Sequence, residues 1–159
     1  GYTELAALLH IPFIASIDCI DISHFQSNAV VGSVVRIDPF QEKKFLSWSY
    51  DLKNKNDDYQ AISATIALHY DTKSYSLPTV LMIDGGKGQL SAAQKKVGNK
   101  TILIALAKKE ERLFIPNNND GVVLSPHTNF GKLLLSLRNI THFTALSGHK
   151  KKFLKEQMG

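Results

Sequence analysis

Thr79-Val80-Leu81-Met82-Ile83-Asp84-Gly85-Gly86-Lys87-Gly88-Gln89-Leu90 runs from a short, wholly apolar segment straight into a glycine-rich turn and then into polar sequence. The apolar run predicts a buried strand over residues 79–83. The residues from the turn to about Val97 predict a helix, and residues 101–107 a second apolar strand. Strands that alternate with helices in this way build parallel sheet. Upstream, residues 16–22, 30–37 and 45–52 each read as strands. The second is rich in β-branched residues, and Asp38-Pro39 marks the turn that follows it. Polar residues 54–58 open a helix reaching about His69, with Ile62, Ile66 and Leu68 apolar. Thr3 reads as the cap of a short leading helix containing Leu5, Leu8 and Leu9. Downstream, residues 113–115 and 122–124 form a hairpin around the turn signal 117–121, and a last helix spans about 129–146 with Leu133, Leu134, Leu137 and Thr141 at helical spacing. Three strands feeding alternating helices and strands imply an α/β fold, a mixed sheet with helices packed on it.

The composition agrees. With 159 residues, 43% hydrophobic and 21% charged, one compact domain spanning 1–159 is expected and a disordered chain is excluded. The longest apolar run, 102–107, is far short of the roughly 20 residues a bilayer span needs. No charged-then-apolar leader is present, and the single cysteine, Cys19, excludes an internal disulfide framework; a cytoplasmic location is expected. The chain starts at Gly1, which fits an excised domain. Nineteen basic against 14 acidic residues give a net charge of +5, which favours an anionic partner, nucleic acid ahead of membrane. Lys150, Lys151 and Lys152 form one basic cluster near the C-terminus; Lys95, Lys96 and Lys100 form another.

Two carboxylates stand where strands do not ordinarily place them. Asp21 lies inside the apolar run 17–22, on the face shared with Cys19 and Ile17, while Asp18 falls on the other face. Asp84 ends its strand at the carboxyl edge, where ligand groups of α/β sheets gather. Two carboxylates on neighbouring strand ends repel unless a cation separates them, and Mg²⁺ or Mn²⁺ suits that role. On spacing alone, Asp21 and Asp84 as caps of neighbouring turns is an equally open reading. The glycine turn lacks a Walker A pattern, because Leu81 stands where the first glycine belongs and Gly88 follows Lys87. What survives is a turn whose backbone N–H groups and Lys87 can touch a phosphate. Asp57 and Asp58 at a helix start are accounted for by capping. His142 lies one helical turn after Arg138, so the pair can present an imidazole to a metal or water and a cation to phosphate. His24, His69, His127 and His149 read as surface residues, and His10 as a helix end.

Five segments, in order, carry a resemblance. They are IDCIDISH (17–24), DDY (57–59), PTVLMIDGGKGQL (78–90), residues 106–109 with 113–116, and SGHKKK (147–152). Together the chain resembles the C-terminal endonuclease domain of UvrC, the incision subunit of bacterial nucleotide excision repair. The resemblance implies an RNase H-like fold and a metal-dependent DNA endonuclease making the 5′ incision at damaged duplex, in concert with UvrB. It puts catalytic carboxylates on Asp21 and Asp84, a further functional acid on Asp58 and the catalytic histidine on His142, with Asp21, Asp84 and His142 at the metal. Lys87, Arg138, Lys150, Lys151 and Lys152 are expected to contact DNA phosphates.

The family's Arg-Asp-Glu-x-His motif here reads Arg138-Asn139-Ile140-Thr141-His142, so two acids are missing, and His127-Thr128-Asn129 stands where the family has Asp-Ser-Pro. Lost second-sphere acids cost about 10- to 100-fold at other metal sites. Nothing in the sequence matches the family's other nuclease domain, its UvrB-docking region or its helix-hairpin-helix pair, so either a dissected domain or a reduced member is expected. The alternative function is a degenerate RNase H-like module that binds DNA or a repair partner without cutting. A nuclease of the same fold acting on RNA is a third reading, because phosphate contacts do not select the sugar.

Overall fold

The computed structural model describes residues 1–40, 44–53 and 57–158, with side chains described as far as residue 147. Its centre is a seven-stranded sheet in the order β3-β2-β1-β4-β5-β6-β7. The strands are β1 (Ile17–His24), β2 (Val30–Ile37), β3 (Leu46–Asp51), β4 (Val80–Asp84), β5 (Ile102–Ala107), β6 (Arg112–Ile115) and β7 (Asn118–Val123). β1, β4 and β5 run parallel, and the meander β1-β2-β3 and the β5-β6-β7 edge are antiparallel. This is the expected mixed α/β sheet.

The two-residue period of the parallel strands sorts their side chains onto two cores. Ile17, Cys19, Val80, Met82, Ile104 and Leu106 face a core shared with Leu5 of α1 (Tyr2–Leu8) and Leu134 and Leu137 of α4 (Asn129–Met158). Ile20, Leu81, Ile83, Leu103 and Ala105 face Ile62 and Ile66 of α2 (Asp58–Ile66) and Ala93 and Val97 of α3 (Lys87–Val97). Being covered on both faces, β4 is fully buried along its length. That is why its sequence reads as one continuous apolar run.

Three local expectations change. α1 begins at Tyr2, so Thr3 lies within the helix and caps nothing, because Tyr2 and Leu5 pack on the α4 core and draw the first turn into helix. The α-helical bonding of α2 ends at Ile66 and continues as a π-helical turn over Ala67–Thr72, closed by the Lys73 N–H to the Leu68 carbonyl at 3.0 Å. The wider turn brings His69 and Tyr70 inward together, so His69 is buried and is no surface residue. Its Nδ1 meets the Tyr50 hydroxyl at 2.6 Å, its ring stacks on Tyr75, and burial, helped by the Arg36 charge, pushes its pKa down to about 4. In the hairpin, Ile115 pairs with Asn118, so the loop is Pro116-Asn117 with Asn117 left-handed (φ 65°), and most of the expected 117–121 turn lies inside β7. Among the described residues no helix is long and apolar enough to cross a membrane.

Candidate active site

β1 and β4 are parallel with Ile20 beside Ile83, so Asp21 and Asp84 follow as neighbours where that pairing ends, Asp84 closing β4 while β1 runs on to His24. Both lie on the face that carries Cys19 and Met82, beneath α4. Asp21 is 1% and Asp84 5% exposed. The Ser23 hydroxyl donates to Asp21 Oδ2 at 3.1 Å, and His142 on α4 brings Nδ1 to 3.5 Å from the same oxygen. Among the described residues, neither Asp84 carboxylate oxygen, both of them buried, has a hydrogen-bond partner. Burial first, and the neighbouring Asp21 carboxylate second, push the Asp84 pKa up to about 6, against the opposing charges of Lys108 and Arg138. A buried carboxylate with no donor costs stability, and here a second carboxylate adds to the cost.

Asp84 borders a cleft of about 690 Å³ at the strand ends, lined also by residues that include His24, Asp58, Gln89, Lys108 and His142. The structure therefore brings Asp21, Asp84 and His142 together and places Asp58 on the same cleft. Asp58 makes no hydrogen bond to Asp21 or Asp84 among the described residues. It opens α2, behind an Asp57 cap whose side chain accepts the Tyr59 N–H, and bonds His24 and Gln89. His24 is exposed, as expected, but it has company, since it meets Asp58 and lines the cleft. Lys87 does not line the cleft and lies over the Phe114 ring at 5.1 Å. Arg138 donates to Glu111 at 3.2 Å and, more weakly, to its neighbour Asn139 at 3.4 Å. The side chains of Lys150, Lys151 and Lys152 lie outside the described residues.

Sequence reading missed Lys108, Lys109, Gln89 and Glu111. Lys108 follows β5, neighbour of β4, so the rule that selected Asp84 at the carboxyl edge would also have found it. Glu111 had no signal, because it reaches Arg138 through a turn in which Glu110 and Glu111 are both left-handed (φ 68° and 49°).

Among the described residues no group of three or more His, Cys, Asp or Glu side chains is gathered closely enough to enclose a metal ion. The donors fit a hard divalent cation all the same. Such ions take one or two carboxylates and complete their shell with water and substrate phosphate, and Asp84 has two buried oxygens free.

A mixed sheet bearing a carboxylate pair at the ends of adjacent parallel strands, under a helix-borne histidine and beside lysines, defines an α/β protein with a polar cleft suited to phosphate chemistry. A family model described as the UvrC RNase H endonuclease domain matches residues 6–146, and the chain belongs to that family. It is 35% identical over 160 residues to UvrABC system protein C of Chlorobium chlorochromatii, covering 95% of this chain and 25% of that protein. It is 34% identical over 161 residues to UvrABC system protein C of Thermotoga petrophila, covering 98% and 28%. The chain therefore spans about a quarter of the length of these relatives. Among solved structures, Ciona intestinalis endonuclease V in complex with DNA aligns with a TM-score of 0.45 at 17% identity, over 60% of this chain and 46% of that one. Human ENDOV aligns with a TM-score of 0.43 at 15% identity, over 67% and 51%.

Proposed function

We propose that the chain is a divalent-metal-dependent DNA endonuclease domain, all 159 residues acting as one unit, that makes the 5′ incision of nucleotide excision repair. The observation that carries this reading is the parallel register that sets the unpartnered Asp84 carboxylate beside Asp21 in an open, lysine-lined cleft. Mg²⁺ or Mn²⁺ held by Asp21 and Asp84, with His142 adjoining, would polarise the scissile phosphate and lower the pKa of a bound water. Ser23 keeps Asp21 turned into the site. His142 is 54% exposed and has Nδ1 toward Asp21, which leaves Nε2 to take a proton from the attacking water. Lys108 and Lys109 meet the phosphate backbone at the cleft, and Lys87, Arg138, Lys150, Lys151 and Lys152 supply further phosphate contacts. Damaged duplex is the substrate and UvrB the partner, reached through regions of the longer relatives, in the cytoplasm.

A non-cutting module is the second reading, favoured by Asn139 and Ile140 in place of the family's acids. Calorimetry with Mn²⁺ and a short nicked duplex, wild type beside Asp84→Ala, separates the two. Binding that disappears in the variant supports the nuclease, and no binding in either protein leaves the non-cutting module. Matched DNA and RNA strands offered to the active protein decide the sugar.

A further inference from the structure

The cleft has a second wall, built on the opposite face of the sheet from His142. His24 ends β1 on the alternate parity from Asp21, which turns it toward α2, where Asp58 opens the helix. His24 Nε2 lies 2.5 Å from Asp58 Oδ1. Gln89 of α3 donates its Nε2 to Asp58 Oδ2 at 3.2 Å, and its Oε1 accepts the Gly86 N–H at 2.7 Å. Gly85 permits that bridge, since a Cβ there would collide with the Gln89 amide. Asp58 is thereby tied to the turn that leaves Asp84, and both of its oxygens are engaged. A carboxylate so committed is not a free cation ligand. His24, in contrast, lines the cleft, is 44% exposed, and has no partner for Nδ1 among the described residues.

We infer that His24 is a substrate-contacting residue that offers Nδ1 to a nucleic-acid phosphate oxygen, and that Asp58 is a positioning residue acting through it. The inference deepens the nuclease reading and rests on it. Asp58 fixes the ring orientation through Nε2, which leaves Nδ1 as the ring nitrogen that meets the phosphate oxygen. The Asp58–Gln89–Gly86 bridge holds this wall in fixed relation to Asp84, so substrate gripped by His24 is presented to the carboxylate pair.

The test is a double-variant cycle on duplex affinity, with Mn²⁺ affinity measured on the same proteins. Fluorescence anisotropy with a short nicked duplex in metal-free buffer reads binding without cutting. His24→Gln is expected to weaken binding about 10-fold. Asp58→Asn should reproduce that loss, and the double variant should be no worse than either single one. His24→Asn, whose amide stands near the Nδ1 position, should recover part of the affinity, whereas the Gln amide stands near Nε2. Mn²⁺ affinity should stay within about twofold in His24→Gln and Asp58→Asn and vanish in Asp84→Asn. Losses that multiply, wild-type duplex binding by His24→Gln, or loss of Mn²⁺ on Asp58→Asn would each overturn the assignment. A wild-type protein that neither binds Mn²⁺ nor cuts would sink the nuclease reading alone, and the duplex cycle would still decide His24.

Discussion

At the amino-terminal half of β1, Asp18 is fully buried and held from two elements: Arg36 of β2 donates Nε at 2.6 Å and Nη2 at 3.0 Å, and the Tyr70 hydroxyl donates at 2.5 Å. Arg36 is anchored in turn on the Ser76 carbonyl. In the carboxyl half of the same strand, Asp21 has one hydroxyl and a histidine at 3.5 Å, and the adjoining Asp84 has no donor among the described residues. Burial pushes Asp18 and Asp84 in the same direction, above the usual carboxylate range. At Asp18 a guanidinium and a phenol oppose the push; at Asp84 a second carboxylate adds to it. A buried acid with its partners in place is part of the scaffold. One left without them costs stability, and folds tolerate that cost at sites that work.

The largest effect that would break this contrast is catalytic. Asp84→Asn keeps the shape and removes the charge, so incision should fall by about 10³- to 10⁴-fold, the several kcal/mol a metal contributes to such a transition state. A gel assay on nicked duplex measures it, and a loss under 10-fold would take Asp84 out of the chemistry. Next comes the scaffold side. Arg36→Met leaves Asp18 as an uncompensated buried charge and should cost about 3 kcal/mol or more in urea unfolding, while cutting per folded molecule stays within about twofold of wild type.

The contrast between the two ends was only half legible in the sequence. Periodicity placed Asp18 and Asp21 on opposite faces, and continuous apolar runs marked β4 and β5 as buried parallel strands. That was enough to set Asp84 at the carboxyl edge of its strand, but its pairing with Asp21 and with His142 came from the resemblance alone. What decides satisfied from unsatisfied was not legible. Tyr70 reaches Asp18 from a π-helical turn, and nothing in ALHYDT distinguishes that turn from the end of an ordinary helix. His24 was within reach of the same two-residue count that found Asp21, because that count turns it toward the helix opened by Asp58. Residue type alone accounts for Asp58 as a helix-start acid and the resemblance gives it a functional role, but neither pairs it with His24.

The unpartnered side can also be read in stability. With its pKa raised to about 6, Asp84 is protonated in the folded state over a range where the unfolded chain, at an ordinary value near 4, has already lost the proton. The folded state binds more protons there, so the contribution of Asp84 is fully present below about pH 4 and is lost as pH rises through about 6. Asp84→Asn should therefore be more stable than wild type by about 2 kcal/mol at pH 8 in metal-free buffer, with the gap closing below pH 4. Mn²⁺ should raise the wild-type melting temperature and leave that of the variant unchanged. A pH-independent gap would mean that Asp84 is not the strained acid of the pair.

The smallest change sharpens the satisfied side. Tyr70→Phe deletes one donor to Asp18 while Arg36 keeps its two, and the ring stays packed in the α2–α3 core. A single charge-assisted bond lost beside an intact fork should cost about 1 to 1.5 kcal/mol, well under the Arg36→Met penalty, because the carboxylate still has a cation. Cutting should be unaffected, since Tyr70 meets Asp18 on the face of β1 opposite the Asp21–Asp84 pair. If Tyr70→Phe instead slowed incision at unchanged stability, the scaffold end of β1 would be coupled to the site, and the division of the strand into a satisfied half and a working half would fail.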